Sequence, residues 1–252
     1  MTLQCVILAG GLGTRLRPAT ETVPKPLVRV LGRPFADWQL SLLAAQGIER
    51  VLYCVGYRGD MLLAHVGDGS RFGLDVSWSA EGERLLGTAG ALRLALDAGL
   101  LEDAFLVLYG DSYLPASARA SEEAWQRSGA PALMTVVRNE DRWDASNCIY
   151  RDGRVVLYDK SRPLDRRDEM RWIDYGRSVL TRAVVDELVS PGAVVDLADL
   201  QHNLSVSGRL AGLEVRERFY EAGSTTGLRE LEAFLLESGV AFGPLPHRQD
   251  AL

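Results

Sequence analysis

The N-terminal stretch LAGGLGTRLRPATETVPKPL combines residue types that bind phosphate groups. Gly10, Gly11 and Gly13 let backbone amides approach an anion closely. Arg15 and Arg17 follow directly, and an arginine side chain can grip phosphate oxygens at two points. The glycines alone fit a tight strand-to-helix turn equally well, because the loop lacks the third glycine of a dinucleotide fingerprint and the lysine of a Walker A loop. The arginines favour an anion site.

A lysine between two prolines adds another cation to the same stretch. Lys25 lies in VPKPL, where Pro24 and Pro26 have fixed φ angles and Pro26 favours an extended conformation at Lys25. A solvated surface lysine is the ordinary alternative. A rigidly placed cation is useful, however, where negative charge develops on a phosphate. The glycines, the arginines and the lysine together predict a triphosphate site.

Alternating strands and helices must position these residues. The first half predicts strands at Gln4–Ala9, Arg50–Val55, Leu74–Ser79 and Ala104–Asp111, and helices at Phe35–Gly47, Asp60–Val66 and Thr88–Gly99, with Thr88 as an N-cap. This rhythm predicts an α/β fold with three α/β/α layers around a mostly parallel, mixed central sheet. Such sheets bind ligands beyond the carboxyl ends of their strands. The glycine loop and Asp111 both follow such ends, so we expect them to share one crevice.

The pattern changes after about residue 128. The second half predicts strands at Pro131–Val137 and in DYGRSVL, a hairpin of Asn147–Tyr150 and Val155–Asp159, and helices near Ala183–Leu188, Leu197–Ser207 and Thr226–Gly239. We interpret residues 1–238 as one domain, with a nucleotide-binding half at 1–128 and a sugar-phosphate-binding half at 129–238. Residues 239–252 are expected to form a tail.

Composition narrows the class of protein. The chain has 252 residues, a formal charge of −6 and a pI near 5.2, which argues against an extended nucleic-acid surface. The three cysteines, Cys5, Cys54 and Cys148, are far apart and form no CxxC, and Cys5 and Cys54 are expected to be free thiols buried in strands. The sequence shows no signal peptide and no apolar run of membrane-spanning length. These features predict a cytoplasmic protein.

The run LAGGLGTRLRPATETVPKPLVRVLGRPF closely resembles the glycine-rich and P-K-P-L signature of the sugar-1-phosphate nucleotidylyltransferases, or NDP-sugar pyrophosphorylases. A weaker resemblance continues through Phe234. It implies the Rossmann-like nucleotide-diphospho-sugar transferase fold and Mg²⁺-dependent nucleotidyl transfer from an NTP to a sugar 1-phosphate. DGRVVLYDK followed by FYEAGS looks more like the stand-alone heptose-1-phosphate guanylyltransferases, near mannose-1-phosphate guanylyltransferase-like members, so GTP and a heptose or hexose 1-phosphate are expected.

Three alternatives stay open at this point. One is a UTP-dependent uridylyltransferase acting on an amino-sugar 1-phosphate. Another is a CTP-dependent cytidylyltransferase acting on phosphocholine, for which Trp143, Trp172 and Tyr175 could supply an ammonium cage. The third is a nucleotide-sugar sensor without turnover. The expected partners are the two substrates, with no nucleic acid and no membrane, and a homo-oligomer is compatible with the sequence.

The resemblance also implies roles for residues around the phosphates. The glycine loop, together with Leu8 and Ala9, would wrap the nucleotide. Arg15 would hold the β- and γ-phosphates, and Lys25 would bridge the α-phosphate and the sugar phosphate, while Arg17 would orient the loop. The implied magnesium ligands are Asp111 and Glu221, the latter at a position where aspartate is the commoner residue.

Base and sugar contacts are implied by two further regions. In SAEGERLLGTAGAL, Gly87 and Thr88 would border the base, Gly90 would ease packing beneath it, and Glu81 or Glu83 could accept hydrogen bonds from guanine, although solvation of either glutamate fits equally well. The implied sugar-phosphate residues are Asn147, Lys160, Tyr175 and Gly176, with Asp159 and Asp174 nearby.

Overall fold

The computed structural model describes residues 2–16, 18–82 and 84–240. Within these residues the strands are β1 Gln4–Ala9, β2 Arg29–Val30, β3 Arg33–Pro34, β4 Arg50–Val55, β5 Asp75–Ala80, β6 Ala104–Tyr109, β7 Ser112–Tyr113, β8 Ala132–Arg138, β9 Cys148–Arg151, β10 Arg154–Tyr158, β11 Trp172–Thr181, β12 Leu210–Val215 and β13 Tyr220–Glu221. The helices described are α1 Phe35–Ala45, α2 Gly59–Val66, α3 Gly87–Asp97, α4 Ala118–Ser128, α5 Arg182–Leu188, α6 Leu197–Val206 and α7 Thr225–Glu237.

One central sheet runs through both halves of the described chain. Its strand order is β5-β4-β1-β6-β11-β8-β12-β10-β9. The strands from β5 to β6 are parallel, and β12 is parallel to β8, whereas β11 runs antiparallel to both of its neighbours, β6 and β8. The predicted mixed α/β sheet is confirmed, with its longest parallel block confined to the first half. The boundary at residue 128 stays a prediction.

Apolar side chains on both faces of the sheet produce the three layers. Every residue of β1 is buried, and successive side chains alternate between two apolar clusters. Cys5, Ile7 and Ala9 belong to the cluster covered by α1, α2 and α4, while Val6 and Leu8 belong to the one covered by α3, α5 and α6. All three cysteines are buried free thiols, as predicted for two of them. Among the described residues, no helix is both long and apolar enough to cross a membrane.

Local turn chemistry is confirmed at one position and corrected at two. Asp152 and Gly153 have φ +49° and +77°, as a type I′ hairpin turn requires. Thr88 is not an N-cap, because α3 begins one residue earlier, at Gly87. The Thr88 hydroxyl instead accepts Leu197 N–H at 2.6 Å, at the start of α6. Lys25 is not in an extended strip but opens a 3₁₀ turn over Lys25–Leu27, which is closed by Leu27 N–H donating to the Pro24 carbonyl at 2.9 Å and by Val28 N–H donating to the Lys25 carbonyl at 3.1 Å. Of the predicted tail, residues 241–252 lie outside the described part.

Candidate active site

The glycine loop leaves the carboxyl end of β1 and is held by its own backbone oxygens. The Gly10 carbonyl accepts Tyr57 N–H at 3.3 Å. The Gly13 carbonyl accepts Leu16 N–H at 3.1 Å and the Thr20 hydroxyl at 2.7 Å. Gly13 has φ +62°, a left-handed value that glycine adopts without strain. Both ends of the loop are therefore fixed against the protein.

The predicted cations occupy different positions after this loop. Arg15 lies on the 3₁₀ turn Thr14–Leu16 and has an exposed side chain. Lys25 is largely covered, with 17% of its side chain exposed, and its Nζ forms an ion pair with Asp111 Oδ2. Arg17 lies outside the described residues. The lysine is thus aimed at a carboxylate, while the arginine stands at the surface.

A first cavity, of about 290 Å³, opens at the carboxyl ends of β1 and β6. Its walls contain most of the residues predicted to bind a nucleotide, namely Leu8, Ala9, Gly10, Gly11, Glu81, Gly87 and Thr88, together with Lys25 and Asp111. Gly13 does not line the first cavity, and a Cβ at this position would point toward the Thr20 side chain. Tyr109 and Asp196 also line the first cavity and were not singled out from the sequence.

Glu81 joins its own loop to the glycine loop at one side of the first cavity. Its Oε1 accepts Leu86 N–H at 2.8 Å. Its Oε2 lies 2.5 Å from where a Cβ on Gly10 would stand and 2.9 Å from the same point on Gly56, so a side chain at either position would require the Glu81 carboxylate to move. Burial raises the pKa of Glu81, and the Leu86 hydrogen bond opposes the shift. Glu83, the other predicted base contact, lies outside the described residues.

The glycines at the start of α3 allow a close backbone approach within the protein. A Cβ on Gly87 would stand 2.6 Å from the Val195 carbonyl oxygen, and one on Gly90 would stand 2.7 Å from the Ala193 carbonyl oxygen. The segment before α6 therefore packs directly on α3. This contact brings Asp196, which no sequence motif marks, to the wall of the first cavity.

A second cavity, of about 420 Å³, adjoins the first. Tyr109 and Asp111 line both cavities. The walls of the second cavity contain all of the residues predicted to bind the sugar phosphate, namely Asn147, Lys160, Tyr175 and Gly176, together with Arg15 and Glu221. The two predicted groups of residues are therefore separated into two neighbouring spaces with Asp111 between them.

The floor of the second cavity is a bulge in β11. Pairing with β8 shifts register between Asp174 and Ser178, and Gly176 inside the bulge has φ +97°. Asn147 Oδ1 accepts Asp174 N–H at 3.0 Å, and Asp174 Oδ1 accepts Gly176 N–H at 2.9 Å. Burial raises the pKa of Asp174 to about 6, against the Gly176 hydrogen bond and the charge of Lys160. The bulge thus presents a carboxyl group that titrates near neutral pH.

Tyr175 has a mainly structural environment. Only 1% of the residue is exposed, and its hydroxyl accepts Ala116 N–H at 2.9 Å. Burial raises the pKa of Tyr175 to about 12. The neighbouring Arg177 is buried as well and donates to the Ala116 carbonyl at 2.7 Å. Because Tyr175 is almost fully buried and its hydroxyl oxygen already accepts Ala116 N–H, we expect Tyr175 to form part of the cavity wall rather than to bind a sugar hydroxyl.

Three charged groups converge where the two cavities meet. A Cβ built on Gly223 would clash with Glu221 Oε2, and it would stand 2.7 Å from Lys25 Nζ and 3.0 Å from Asp111 Oδ2. All three atoms therefore surround one point. Within the described residues, no group of three or more His, Cys, Asp or Glu side chains is arranged to hold a metal ion. Two carboxylates suit Mg²⁺, which usually takes one or two and completes its shell with phosphates and water.

A short two-stranded ribbon brings Glu221 to Asp111. In it β13 pairs antiparallel with β7, placing Glu221 opposite Ser112. Ala222 N–H donates to the Asp111 carbonyl at 2.7 Å, next to the pairing. These contacts fix the two carboxylates together although 110 positions separate them in the sequence. The motif FYEAGS marked Glu221 as a candidate, but nothing in it indicated this ribbon.

Sequence reasoning missed a cluster at the second cavity. The Arg218 guanidinium carbon lies 5.3 Å from the centre of the Trp143 ring and 5.1 Å from the centre of the Tyr220 ring. Arg218 also forms an ion pair with Glu230, and all four residues line the second cavity. The position of Arg218 two residues before Tyr220 of FYEAGS was the one local signal, because Trp143 lies on a distant segment.

Comparison with known proteins identifies the family. A sequence profile described as Nucleotidyl transferase matches residues 4–145, which carry the glycine loop, Lys25 and Asp111. The chain belongs to the nucleotidyl transferase family. The resemblance to sugar-1-phosphate nucleotidylyltransferases is thereby confirmed, while the heptose guanylyltransferase subgroup stays a prediction.

Individual members of the family resemble the chain over different lengths. The chain is 34% identical over 189 residues to a mannose-1-phosphate guanylyltransferase of Mycobacterium tuberculosis, covering 74% of this chain and 51% of the relative. It is 31% identical over 141 residues to a UTP–glucose-1-phosphate uridylyltransferase of Synechocystis sp., covering 52% of this chain and 36% of the relative. The chain therefore spans about half of the first relative's length and less of the second's.

A solved structure shares the fold. The structure of HddC from Yersinia pseudotuberculosis complexed with GMP-PN superimposes with a TM-score of 0.77 and 22% identity, covering 93% of this chain and 100% of that one. This likeness confirms the predicted nucleotide-diphospho-sugar transferase fold.

Proposed function

We propose that this chain transfers a nucleotidyl group from an NTP to a sugar 1-phosphate, releasing pyrophosphate, with Mg²⁺ as cofactor. The observation that carries the proposal is the junction at Asp111, where two cavities share a wall and where Lys25 and Glu221 approach the same point. A reaction between two phosphate-bearing substrates needs adjoining pockets with charged groups at their boundary.

The chemistry needs positioning and charge neutralisation more than proton transfer. An oxygen of the sugar phosphate attacks the α-phosphorus in line, and the bond between the α-phosphorus and the departing pyrophosphate breaks. The nucleophile is already anionic at neutral pH, so no general base is required. Lys25 would meet the α-phosphate and the sugar phosphate at the junction. Arg15, which lines the second cavity and not the first, would steady β- and γ-phosphates that extend past the junction, and Lys160 would hold the sugar phosphate in the second cavity.

Asp111 and Glu221 would hold the magnesium ion. Their oxygens approach one point beside Gly223, and a pair of carboxylates leaves coordination positions for substrate phosphates. When bound, Mg²⁺ supplies electrostatic stabilisation of the charge that develops on the phosphates. Lys25, already paired with Asp111, would act from the same side.

For the substrates we propose GTP and a heptose or hexose 1-phosphate. Glu81 lines the first cavity and could accept hydrogen bonds from guanine N1 and N2 with the oxygen lone pairs that Leu86 leaves. Asn147 and Asp174 border the second cavity, where they could bind sugar hydroxyls. A guanylyltransferase among the relatives and GMP-PN in the HddC structure support guanine, whereas the Synechocystis relative supports the alternative of UTP.

The aromatic residues do not favour a choline phosphate acceptor. Trp172 Nε1 donates to Glu214 at 3.0 Å, and Trp172 does not line the second cavity. Trp143 does line it, but the guanidinium of Arg218 already lies against its ring. A substrate ammonium would have to compete with this arginine, so the cage needed for phosphocholine is lacking among these residues.

Pyrophosphate release from the purified chain tests the proposal. The assay pairs ATP, CTP, GTP and UTP with a panel of mannose, glucose, heptose and amino-sugar 1-phosphates and phosphocholine, with Mg²⁺ or EDTA. We expect Mg²⁺-dependent release with GTP and a heptose or hexose 1-phosphate. Release with UTP and an amino-sugar 1-phosphate would change the proposed substrates but leave the proposed nucleotidyl transfer intact. No release with any pair would favour a sensor, and release with phosphocholine alone would refute the sugar phosphate assignment.

A further inference from the structure

We propose that Ser224 is a positioning residue, whose hydroxyl fixes the Glu221 carboxylate so that it can hold a divalent cation together with Asp111. The inference rests on the proposed function, because that function assigns the two carboxylates to the metal. It adds a residue that touches neither substrate nor metal and yet sets the geometry of the site.

One hydroxyl makes two contacts at the start of α7. Ser224 Oγ donates to Glu221 Oε1 at 2.6 Å and accepts Gly227 N–H at 3.0 Å. With Oε1 held by Ser224, the other carboxylate oxygen, Oε2, is the one that faces Lys25 and Asp111. A glutamate has one more rotatable bond than an aspartate, so a ligand of this type loses more conformational entropy when it is ordered. The serine hydroxyl stabilises the one orientation in which Oε2 reaches the junction.

Two glycines leave room for this arrangement. A Cβ on Gly227 would stand 2.6 Å from Glu221 Oε1, and a Cβ on Gly223 would occupy the point around which Glu221 Oε2, Lys25 Nζ and Asp111 Oδ2 converge. The Glu221 carboxylate therefore lies between two positions that carry no side chain. A methyl group at Gly223 would displace the charged groups from each other even with Ser224 intact.

Variants at Ser224 can separate the orientation of Glu221 from the capping of α7. Replacing an N-cap serine with glycine costs a helix little stability, whereas threonine retains the capping hydroxyl. Ser224→Gly therefore removes the contact to Glu221 with little change in capping, and Ser224→Thr preserves both. Ser117 provides a matched control, since it caps α4 by accepting Ala120 N–H at 3.3 Å away from the junction.

The test measures Mn²⁺ binding to the full chain by electron paramagnetic resonance, with thermal denaturation of every variant to confirm folding. Loss of a group that orients a metal ligand typically weakens metal affinity by about ten- to a hundredfold. We expect that loss for Ser224→Gly and for Gly223→Ala. Ser224→Thr and Ser117→Gly should bind Mn²⁺ as the wild type does.

Two ligand variants distinguish failure of this inference from failure of the proposed function. If Asp111→Asn and Glu221→Gln both leave Mn²⁺ affinity unchanged, the metal assignment is wrong and the inference falls with it. If these two variants lose Mn²⁺ while folded Ser224→Gly binds as the wild type does, the metal site stands and the role of Ser224 is overturned. Should Ser224→Gly fail to fold, Ser224→Ala, which removes the same hydroxyl contact to Glu221 Oε1, gives the same decision.

Discussion

Replacing Asp174 with asparagine is expected to stabilise the protein at neutral pH and to lose that effect in acid. Burial raises the pKa of the Asp174 carboxyl from its ordinary 3.8 to about 6. The folded state therefore binds this proton more tightly than the unfolded chain does. Between these two pKa values the unfolded state carries fewer protons, so the free energy of unfolding falls as pH rises. Below the unfolded pKa both states are protonated and the penalty disappears.

The pKa shift sets the size of the effect. A shift of about two units corresponds to about 3 kcal/mol of destabilisation once pH exceeds the folded pKa. Asp174 keeps partial exposure toward the second cavity, so solvent screening makes this figure an upper limit. Asparagine retains an oxygen that can accept Gly176 N–H, and it has no charge to bury. The variant should therefore avoid the penalty without losing the hydrogen bond of the bulge.

Urea unfolding at pH 4 and pH 8 measures the effect directly. Asp174→Asn should exceed the wild type in stability at pH 8, by up to about 3 kcal/mol, and should nearly equal it at pH 4. Asp165→Asn, at an exposed carboxylate, is the matched control. Equal stability of Asp174→Asn and wild type at both pH values would refute the reasoning. Lower stability of the variant at pH 8 would show instead that the fold stabilises the charged carboxylate.

Three further substitutions test other parts of the site. Lys25→Ala should reduce kcat for pyrophosphate release by orders of magnitude with a nearly unchanged melting temperature, and a near-normal kcat would remove Lys25 from the mechanism. Gly87→Ala would place a Cβ 2.6 Å from the Val195 carbonyl oxygen, at a residue whose φ is +76°. We expect this variant to lower the free energy of unfolding by about 1–3 kcal/mol in urea titrations. Unchanged stability would contradict the predicted clash. Tyr175→Phe leaves Ala116 N–H without its acceptor and should cost about 1–3 kcal/mol of stability, with no change in KM for the sugar phosphate. A higher KM at unchanged stability would show that the hydroxyl binds the sugar instead.

Local sequence patterns predicted the elements around the first cavity well. The strands Gln4–Ala9 and Arg50–Val55 match their predicted bounds at both ends, because each is an apolar run ended by turn-forming residues. The hairpin through Asp152 and Gly153 was equally predictable, since few dipeptides other than Asp-Gly and its close equivalents favour two left-handed residues in succession. The phosphate-binding candidates followed from residue chemistry: Gly10, Gly11 and Lys25 line the first cavity, whereas Arg15 lines the second.

Contacts between distant segments could not be predicted from such patterns. The alternation in β11 indicates a strand but not its insertion between β6 and β8 in the opposite direction. Thr88 has the side chain of an N-cap, yet its hydroxyl accepts the first N–H of a different helix. Asp196 reaches the first cavity only because Gly87 and Gly90 admit the backbone before α6. Each of these outcomes depends on which segment becomes the neighbour, which the local sequence does not encode.

The strand order has a consequence for the protein as it leaves the ribosome. Among the described residues, β6 gains its neighbour on one side only when residues 172–181 of β11 have been synthesised. Before that moment the nascent sheet presents an unpaired edge at β6, to which another chain could add a strand. Glu221 emerges later still and must dock through β13 on β7. A growing chain would thus possess its glycine loop, Lys25 and Asp111 long before Glu221, so the proposed pair of carboxylates can form only after most of the chain has been synthesised.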